Sequence, residues 1–175
     1  DTGGPVWVLG TRWYTVLDDG RIVAVRTNGS DEIALIAGDI ETRLNIPATA
    51  YVQVEDSRDD TVLISGSSAT VPVGLWVVNV STGATTAVHG SDAPWDAEWM
   101  PTPTSLTADG PHGPVHAFAY PPTNPDAVAP PGDLPPLVVI SHGGPTSHTT
   151  RRLDLEVQAF TSRGFAVVDV DYGGS

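Results

Sequence analysis

The stretch Ser141-His142-Gly143-Gly144-Pro145 follows an apolar run and contains the residue types best suited to chemistry in this sequence. A backbone amide can stabilise the negative charge that builds on a carbonyl oxygen during acyl transfer, if no side chain blocks its approach. Glycine permits that approach because it has no Cβ. We predict that Gly144 donates its amide to such an oxyanion, with Gly143 as second choice, while His142 shapes the loop. The alternative is a glycine turn that joins a strand to a helix and has no catalytic part.

The sequence contains no nucleophile to accompany this loop. The Gly-x-Ser-x-Gly pattern that carries the nucleophilic serine of many hydrolases does not occur in the 175 residues. Ser68 has Gly66 two residues before it but Thr70 two residues after it, and Ser175 follows Gly173 at the last position. We therefore expect the nucleophile, acid and base to lie outside this chain, and residues 1–175 to be inactive alone.

Cofactor and metal sites are not expected from this composition. Cysteine is absent and all eight basic residues are arginine, which excludes thiolate ligands and a phosphate-binding lysine. No Gly-x-Gly-x-x-Gly sequence opens a helix, so a dinucleotide site is not predicted either. His112 and His116 are four residues apart, but Gly113 and Pro114 break any helical face that the two histidines could share.

The charge and hydropathy of the chain limit its partners. The formal net charge of -13 argues against nucleic-acid binding, which needs clustered cations to neutralise phosphates. No apolar run approaches the roughly 20 residues that span a bilayer, so no membrane partner is predicted. The first residues lack the basic and apolar regions of a signal peptide. We therefore expect a cytoplasmic location.

The elements that must position the glycine loop form a strand, helix and strand. Residues 137–140 are a continuous apolar run, which predicts a strand buried on both faces. Residues 150–163 predict a helix with Gly164 as its C-terminal stop, and residues 165–170 predict a second buried strand. The helical stripe contains Leu153, Val157 and Phe160. This order implies a parallel strand pair with a helical crossover, and the glycine loop follows the first strand.

Residues 1–100 have a different pattern, in which short predicted strands alternate with turns. The pattern repeats, so that Ile22 corresponds to Val62, an offset of roughly 40 residues. Four short strands repeated at this period are typical of β-propeller blades, and a β-sandwich is the alternative. The predicted fold is therefore the last blades of a β-propeller over residues 1–100, followed by the N-terminal part of an α/β-hydrolase domain over residues 101–175.

Residues 137–175 contain the segments Leu-Val-Val-Ile-Ser-His-Gly-Gly-Pro-Thr, Thr-Ser-Arg-Gly-Phe-Ala-Val-Val-Asp-Val and Asp-Tyr-Gly-Gly-Ser. These segments closely resemble the prolyl oligopeptidase family of serine peptidases, in particular its bacterial acylaminoacyl-peptidase and dipeptidyl-aminopeptidase-like branch. The resemblance implies a propeller before an α/β-hydrolase domain, and an oxyanion amide from Gly144. A second amide would follow a serine outside this chain. Some relatives carry arginine where this chain has Gly173, so an arginine contact there is not transferred.

The function implied by this resemblance is that of a serine peptidase fragment, in which the whole enzyme hydrolyses short peptides through an acyl-enzyme. Its partners would be a short peptide substrate and the remainder of its own polypeptide, while the oligomeric state, a homo-oligomer included, stays open. Two alternatives are kept. The glycine loop alone suggests an esterase of the α/β-hydrolase class, and the lack of a triad suggests a non-catalytic binding module based on the propeller.

Overall fold

The computed structural model describes residues 2–4, 8–90, 92–144 and 147–173. The chain divides into two compact units, Asp1–Asp92 and Ala93–Ser175. The sequence-based domain boundary follows residue 100, whereas the second compact unit also includes the tryptophan-rich stretch just before that residue.

The described part of the first unit is antiparallel β-sheet, as the alternation of short predicted strands and turns indicates. The strands are β1 Tyr14–Val16, β2 Ile22–Thr27, β3 Asp31–Ala37, β4 Ile40–Leu44, β5 Ala50–Arg58, β6 Thr61–Ser67, β7 Gly74–Asn79 and β8 Thr85–His89. They form two four-stranded sheets in the orders β1-β2-β3-β4 and β5-β6-β7-β8. Each sheet is thus a meander of consecutive strands, and neither closes on itself in the described part of the chain.

Glycines in the left-handed conformation connect two of these hairpins. Gly29 has a φ of 73° and lies between β2 and β3, where the Asn28 amide donates to the Ser30 carbonyl at 3.1 Å. Gly83 also has a φ of 73° and lies between β7 and β8. A positive φ of this size carries little cost only for glycine. Glycine at these two positions therefore suits the turns that connect the strands.

One apolar core joins the two sheets of the first unit. Alternate side chains of the central strands face this core, because successive residues of a strand point to opposite faces. Residues at most 1% exposed there include Val23, Val25, Val52, Val54 and Ile64. Removal of this apolar surface from water is the main force that holds the two sheets together as one unit.

The second unit contains a mixed sheet and one α-helix among its described residues. Its elements are a 3-10 helix at Ala97–Trp99, β9 Thr104–Gly110, β10 Gly113–Tyr120, β11 Leu137–Ser141, α1 Leu155–Thr161 and β12 Ala166–Asp171. The sheet has the order β11-β12-β10-β9. Strands β11 and β12 are parallel and are joined by α1, as predicted. Strand β10 is antiparallel to both of its neighbours.

The predicted helix over residues 150–163 is wrong at its start. Helix α1 begins at Leu155, and Asp154 is its N-cap, with Oδ1 accepting from the amides of Glu156 at 2.9 Å and Val157 at 3.4 Å. Leu153 therefore lies before the helix. A carboxylate that accepts from free N-terminal amides is a strong start signal, and it overrides the apolar spacing that includes Leu153. At the other end Gly164 has a φ of 89°, as the predicted stop requires.

The prediction that β11 is buried on both faces is also wrong for the described chain. Burial alternates along this strand, and Leu137 and Val139 are 58% and 62% exposed. Val138 and Ile140 pack against the apolar core of the second unit, whereas Leu137 and Val139 lie on the opposite face of the sheet, which the described residues leave exposed. In β12 the same holds in weaker form, since Val167 is buried while the remaining residues are partly exposed.

Candidate functional site

The predicted glycine loop begins where β11 ends. Ser141 and Val170 form the last pair in the parallel register of β11 and β12. The residues that follow are His142 on one strand and Asp171 and Tyr172 on the other, so they leave the sheet at the same edge. This is the carboxyl edge of the parallel pair, where open α/β sheets place their ligand sites.

Gly143 and Gly144 differ in backbone conformation. Of the two, only Gly144 has a positive φ, at 75°. Among the described residues, no heavy atom lies within 4 Å of a Cβ built on either glycine. The requirement for glycine at 144 therefore comes from the backbone and not from packing, and both positions adjoin open space. Pro145, the next residue of the motif, lies outside the described residues.

The contacts of the His142 imidazole include Tyr172, Asp171 and Gly143. Its ring stacks on Tyr172, with the ring centroids 4.3 Å apart and 20° between the planes. Its Nε2 lies 3.6 Å from Asp171 Oδ1, and its Nδ1 lies 3.4 Å from the Gly143 carbonyl oxygen. The side chain is only 10% exposed. The role of His142 in shaping the loop stays a prediction, and these are the contacts that such a role requires.

Two residues at the end of β12 hold the loop from outside, and the sequence analysis did not identify either one. The Tyr172 hydroxyl donates to the Gly144 carbonyl oxygen. Asp171 Oδ1 accepts from the Thr149 amide at 2.7 Å. The sequence does indicate their position, because the polar pair Asp171-Tyr172 ends the strand that is expected to lie parallel to β11. Neighbouring parallel strands end at the same edge of a sheet, so this pair is expected to lie near the glycine loop.

Carboxylates make this part of the sheet acidic. Burial raises the pKa of Asp169, and the negative charges of Asp171 and Asp154 raise it further. The positive charge of Arg152 acts in the opposite direction on the same pKa, as does that of His142 when its imidazole is protonated. Asp169 is therefore a half-buried carboxylate whose ionised form is disfavoured by its surroundings.

Tyr120 lies beneath this acidic region, opposite Val167 in the register of β10 and β12. Burial raises the pKa of Tyr120 to about 12, with smaller contributions from the charges of Asp169 and Asp154. The phenol is consequently protonated at neutral pH. Tyr120 contributes to the apolar core of the second unit and does not supply a phenolate to the site.

His112 and His116, whose spacing did not predict a shared metal site, lie in different parts of the β9-β10 hairpin. His116 is on β10, where its Nδ1 lies 3.0 Å from the Thr107 hydroxyl, and His112 is in the turn before that strand. Among the described residues no group of three or more histidine, aspartate or glutamate side chains could hold a metal ion. Within those same residues no helix has the length and hydropathy needed to cross a membrane.

Solved structures match this chain over its whole length. A puromycin-hydrolyzing peptidase of Mycobacterium tuberculosis matches with a TM-score of 0.92 and 36% sequence identity, covering 100% of this chain and 27% of the other. A puromycin hydrolase matches with a TM-score of 0.88 and 33% identity, covering 99% of this chain and 27% of the other. The chain thus spans about a quarter of the length of the structures that it matches.

The same fold is also found in a structure with lower sequence identity. A prolyl endopeptidase has a TM-score of 0.72 at 15% identity, covering 93% of this chain and 24% of the other. No protein-family model and no curated protein matches the chain. The chain belongs to the prolyl oligopeptidase family, as the resemblance of its glycine loop and flanking strands predicts.

Proposed function

We propose that this chain is part of a serine peptidase and that Gly144 donates its backbone amide to the oxyanion of acyl transfer. The observation that carries this proposal is the conformation of the loop after β11. Gly144 has a φ of 75° and adjoins open space at the carboxyl edge of a parallel strand pair. Membership of the prolyl oligopeptidase family supports the same reaction class.

The proposed chemistry follows from the charge of the tetrahedral intermediate. When a nucleophile attacks an amide carbonyl, the oxygen gains negative charge and needs donors about 2.7–3.1 Å away. A backbone amide in a fixed loop meets that need without reorganisation during the reaction. Since Gly143 and Gly144 carry no side chains, a substrate carbonyl can approach their amides closely. Loss of one such donor costs about 10²–10³ in kcat in other enzymes.

The remaining catalytic groups would come from other parts of the same polypeptide. A Gly-x-Ser-x-Gly sequence does not occur in the 175 residues, so the nucleophile is proposed to lie outside them. The amide after that serine would be the second oxyanion donor, and Asp and His would complete the triad. Residues 1–175 alone are therefore expected to show no turnover.

We further propose that the two units are propeller blades and the first part of an α/β-hydrolase domain. Two consecutive four-stranded meanders support the first assignment, because each is the unit from which a propeller is built. The β9-β10 hairpin followed by the β11-α1-β12 crossover supports the second assignment. In this arrangement the glycine loop follows the third strand of the hydrolase sheet, as an oxyanion loop does.

The proposed substrates are short peptides and amino-acid amides with a free N-terminus. Two of the most similar structures are described as a puromycin-hydrolyzing peptidase and a puromycin hydrolase. Puromycin is an amino acid with a free α-amino group, joined to an aminonucleoside through an amide bond. Cleavage of that bond is aminopeptidase chemistry, which is the reaction proposed here.

Turnover and active-site labelling of the full-length protein test this function. The protein should release the amino acid from puromycin and from an aminoacyl-β-naphthylamide, and a fluorophosphonate should label one serine in a Gly-x-Ser-x-Gly sequence. Residues 1–175 expressed alone are the matched control and should do neither. An active full-length preparation that the probe fails to label would contradict the proposal, as would cleavage of esters without cleavage of amides.

A further inference from the structure

We propose that Tyr172 is a positioning residue for the Gly144 amide, an inference that rests on the proposed oxyanion role of Gly144. Tyr172 directly follows β12. Its side chain contacts the loop twice, through the ring of His142 and through the carbonyl oxygen of Gly144. Together these two contacts determine the direction of the Gly144 N–H. Neither contact involves that N–H group itself.

The carbonyl groups on both sides of the Gly144 Cα have side-chain contacts. The Gly143 carbonyl oxygen lies 3.4 Å from His142 Nδ1, and the Gly144 carbonyl oxygen accepts from the Tyr172 hydroxyl. In a trans peptide the C=O and N–H bonds point in opposite directions. The Gly143 carbonyl and the Gly144 N–H belong to one peptide group. A carbonyl directed towards His142 therefore directs that N–H away from His142.

Tyr172 acts on both of these peptide groups. Its hydroxyl holds the Gly144 carbonyl directly, and its ring stacks on His142 with centroids 4.3 Å apart. The imidazole held in this way is the one that lies beside the Gly143 carbonyl. Two successive glycines have no side chains that restrict φ and ψ. Contacts from other residues, such as those of Tyr172, therefore contribute to the direction of the Gly144 N–H.

The rate contributed by an oxyanion donor depends on the donor's exact position as well as on its presence. A displacement of about 1 Å in a catalytic group can cost about 100-fold in rate. The oxyanion exists only near the transition state, so loss of its donor affects kcat and leaves ground-state binding largely intact. The hydroxyl of Tyr172 should consequently matter for turnover and have little effect on KM.

The experiment compares variants of the full-length protein. Tyr172→Phe removes the hydroxyl and keeps the ring that stacks on His142. Tyr14→Phe is the matched control, because Tyr14 is 63% exposed on β1 in the other unit. We expect Tyr172→Phe to lower kcat by roughly 10-fold or more with KM within about twofold of wild type. Tyr14→Phe should change neither constant.

Two further measurements separate positioning from a purely structural role. A peptide aldehyde forms a hemiacetal whose oxyanion would lie beside the Gly144 amide, so Tyr172→Phe should bind it more weakly by the same factor as the loss in kcat. The amine product of cleavage has no acyl oxygen and should bind equally to both proteins. Introduction of para-aminophenylalanine at position 172 restores a donor, and most of the lost kcat should return.

Each other result has a defined meaning. If Tyr172→Phe had the same kcat and the same aldehyde affinity as the wild-type protein, the inference on Tyr172 would be overturned. The proposed function would still stand, provided that the wild-type protein shows turnover. A change in melting temperature without a loss of kcat would also overturn it, as would equal weakening of aldehyde and product. Wild-type protein without turnover or a labelled serine would overturn the proposed function itself, and this inference with it.

Discussion

At position 144 the backbone adopts a φ of 75°, which an L-residue reaches only with strain. Gly143, its neighbour, has no positive φ, and a Cβ would meet open space at either position. Alanine at the two positions therefore differs in backbone strain and not in local packing. A comparison of the two alanine variants therefore shows which of the two glycines the loop conformation requires.

We predict that Gly144→Ala in the full-length protein lowers kcat by roughly 10- to 100-fold, because about 1–2 kcal/mol of strain displaces the amide. Gly143→Ala should have a clearly smaller effect, since its backbone conformation is open to alanine. Steady-state kinetics with an aminoacyl-β-naphthylamide measure both. Equal losses in the two variants would show that the conformation at 144 is not what the site requires.

Asp169 is a half-buried carboxyl on β12. Burial raises its pKa in the folded protein above the ordinary value of 3.8. A carboxyl with a raised folded-state pKa favours folding fully below the unfolded-state pKa, and that contribution is lost as the pH rises through the folded-state pKa. At neutral pH, then, the ionised form of Asp169 is disfavoured in the fold.

Asp169→Asn should accordingly raise the melting temperature of the full-length protein at pH 7 relative to wild type. The difference should shrink as the pH falls towards 3.8, because the wild-type carboxyl is then increasingly protonated. Thermal unfolding across this pH range checks the prediction. A melting temperature that the substitution lowers at pH 7, or a gap that does not depend on pH, would contradict it.

Helix α1 shows how an element is positioned by its first turn. Asp154 accepts from the amides of Glu156 and Val157, and its other oxygen lies 2.8 Å from Arg152 Nη2. The helix has seven residues, so it depends on its cap and on packing more than a long helix would. The orientation of α1 sets the path of the chain between β11 and β12.

For Asp154→Ala we predict a loss of about 1 kcal/mol in stability, since two amides lose their acceptor. Asp154→Asn is the matched control, because asparagine caps helices about as well and removes only the charge. Chemical denaturation of the full-length protein, followed by far-UV circular dichroism, provides the comparison. Equal destabilisation by the two substitutions would indicate that the pairing with Arg152 matters and the cap does not.

The elements of this fold were largely predictable, whereas their contacts were not. Apolar runs and turn residues predicted the strands, and β11, α1 and β12 were expected in their observed order. The apolar spacing that includes Leu153 predicts too early a start for α1, because the capping carboxylate of Asp154 determines where the helix begins. The exposure of Leu137 depends on which elements cover β11, and local sequence carries no such information. The Tyr172 contact with Gly144 depends on tertiary geometry in the same way.

On the scale of the whole molecule, Asp31 shows how the two sheets of the first unit are joined. The register of β5 and β6 shifts between Ala50 and Gln53, which leaves Val52 outside the ladder. The Val52 amide donates instead to Asp31 Oδ2 at 3.0 Å, and Asp31 begins β3 in the other sheet. Asp31 Oδ1 accepts from the Thr27 hydroxyl at 2.7 Å. The carboxylate thus satisfies a buried amide across the junction.

We predict that Asp31→Ala destabilises the first unit by about 1–3 kcal/mol, because a buried amide loses its acceptor. Asp31→Asn keeps an acceptor oxygen and should cost clearly less. Hydrogen exchange of the full-length protein, read for the peptides that contain β3 and β5, localises the effect. Unchanged exchange in Asp31→Ala would mean that the amide finds another partner and that this link between the sheets is dispensable.

A structure of the full-length protein with a covalent peptide phosphonate would show which groups bind the oxyanion. The phosphonate mimics the tetrahedral intermediate, and one of its oxygens occupies the position of the oxyanion. We predict that this oxygen lies about 2.7–3.1 Å from the Gly144 amide nitrogen. An oxygen bound by other donors, with the Gly144 N–H directed away from the adduct, would contradict it.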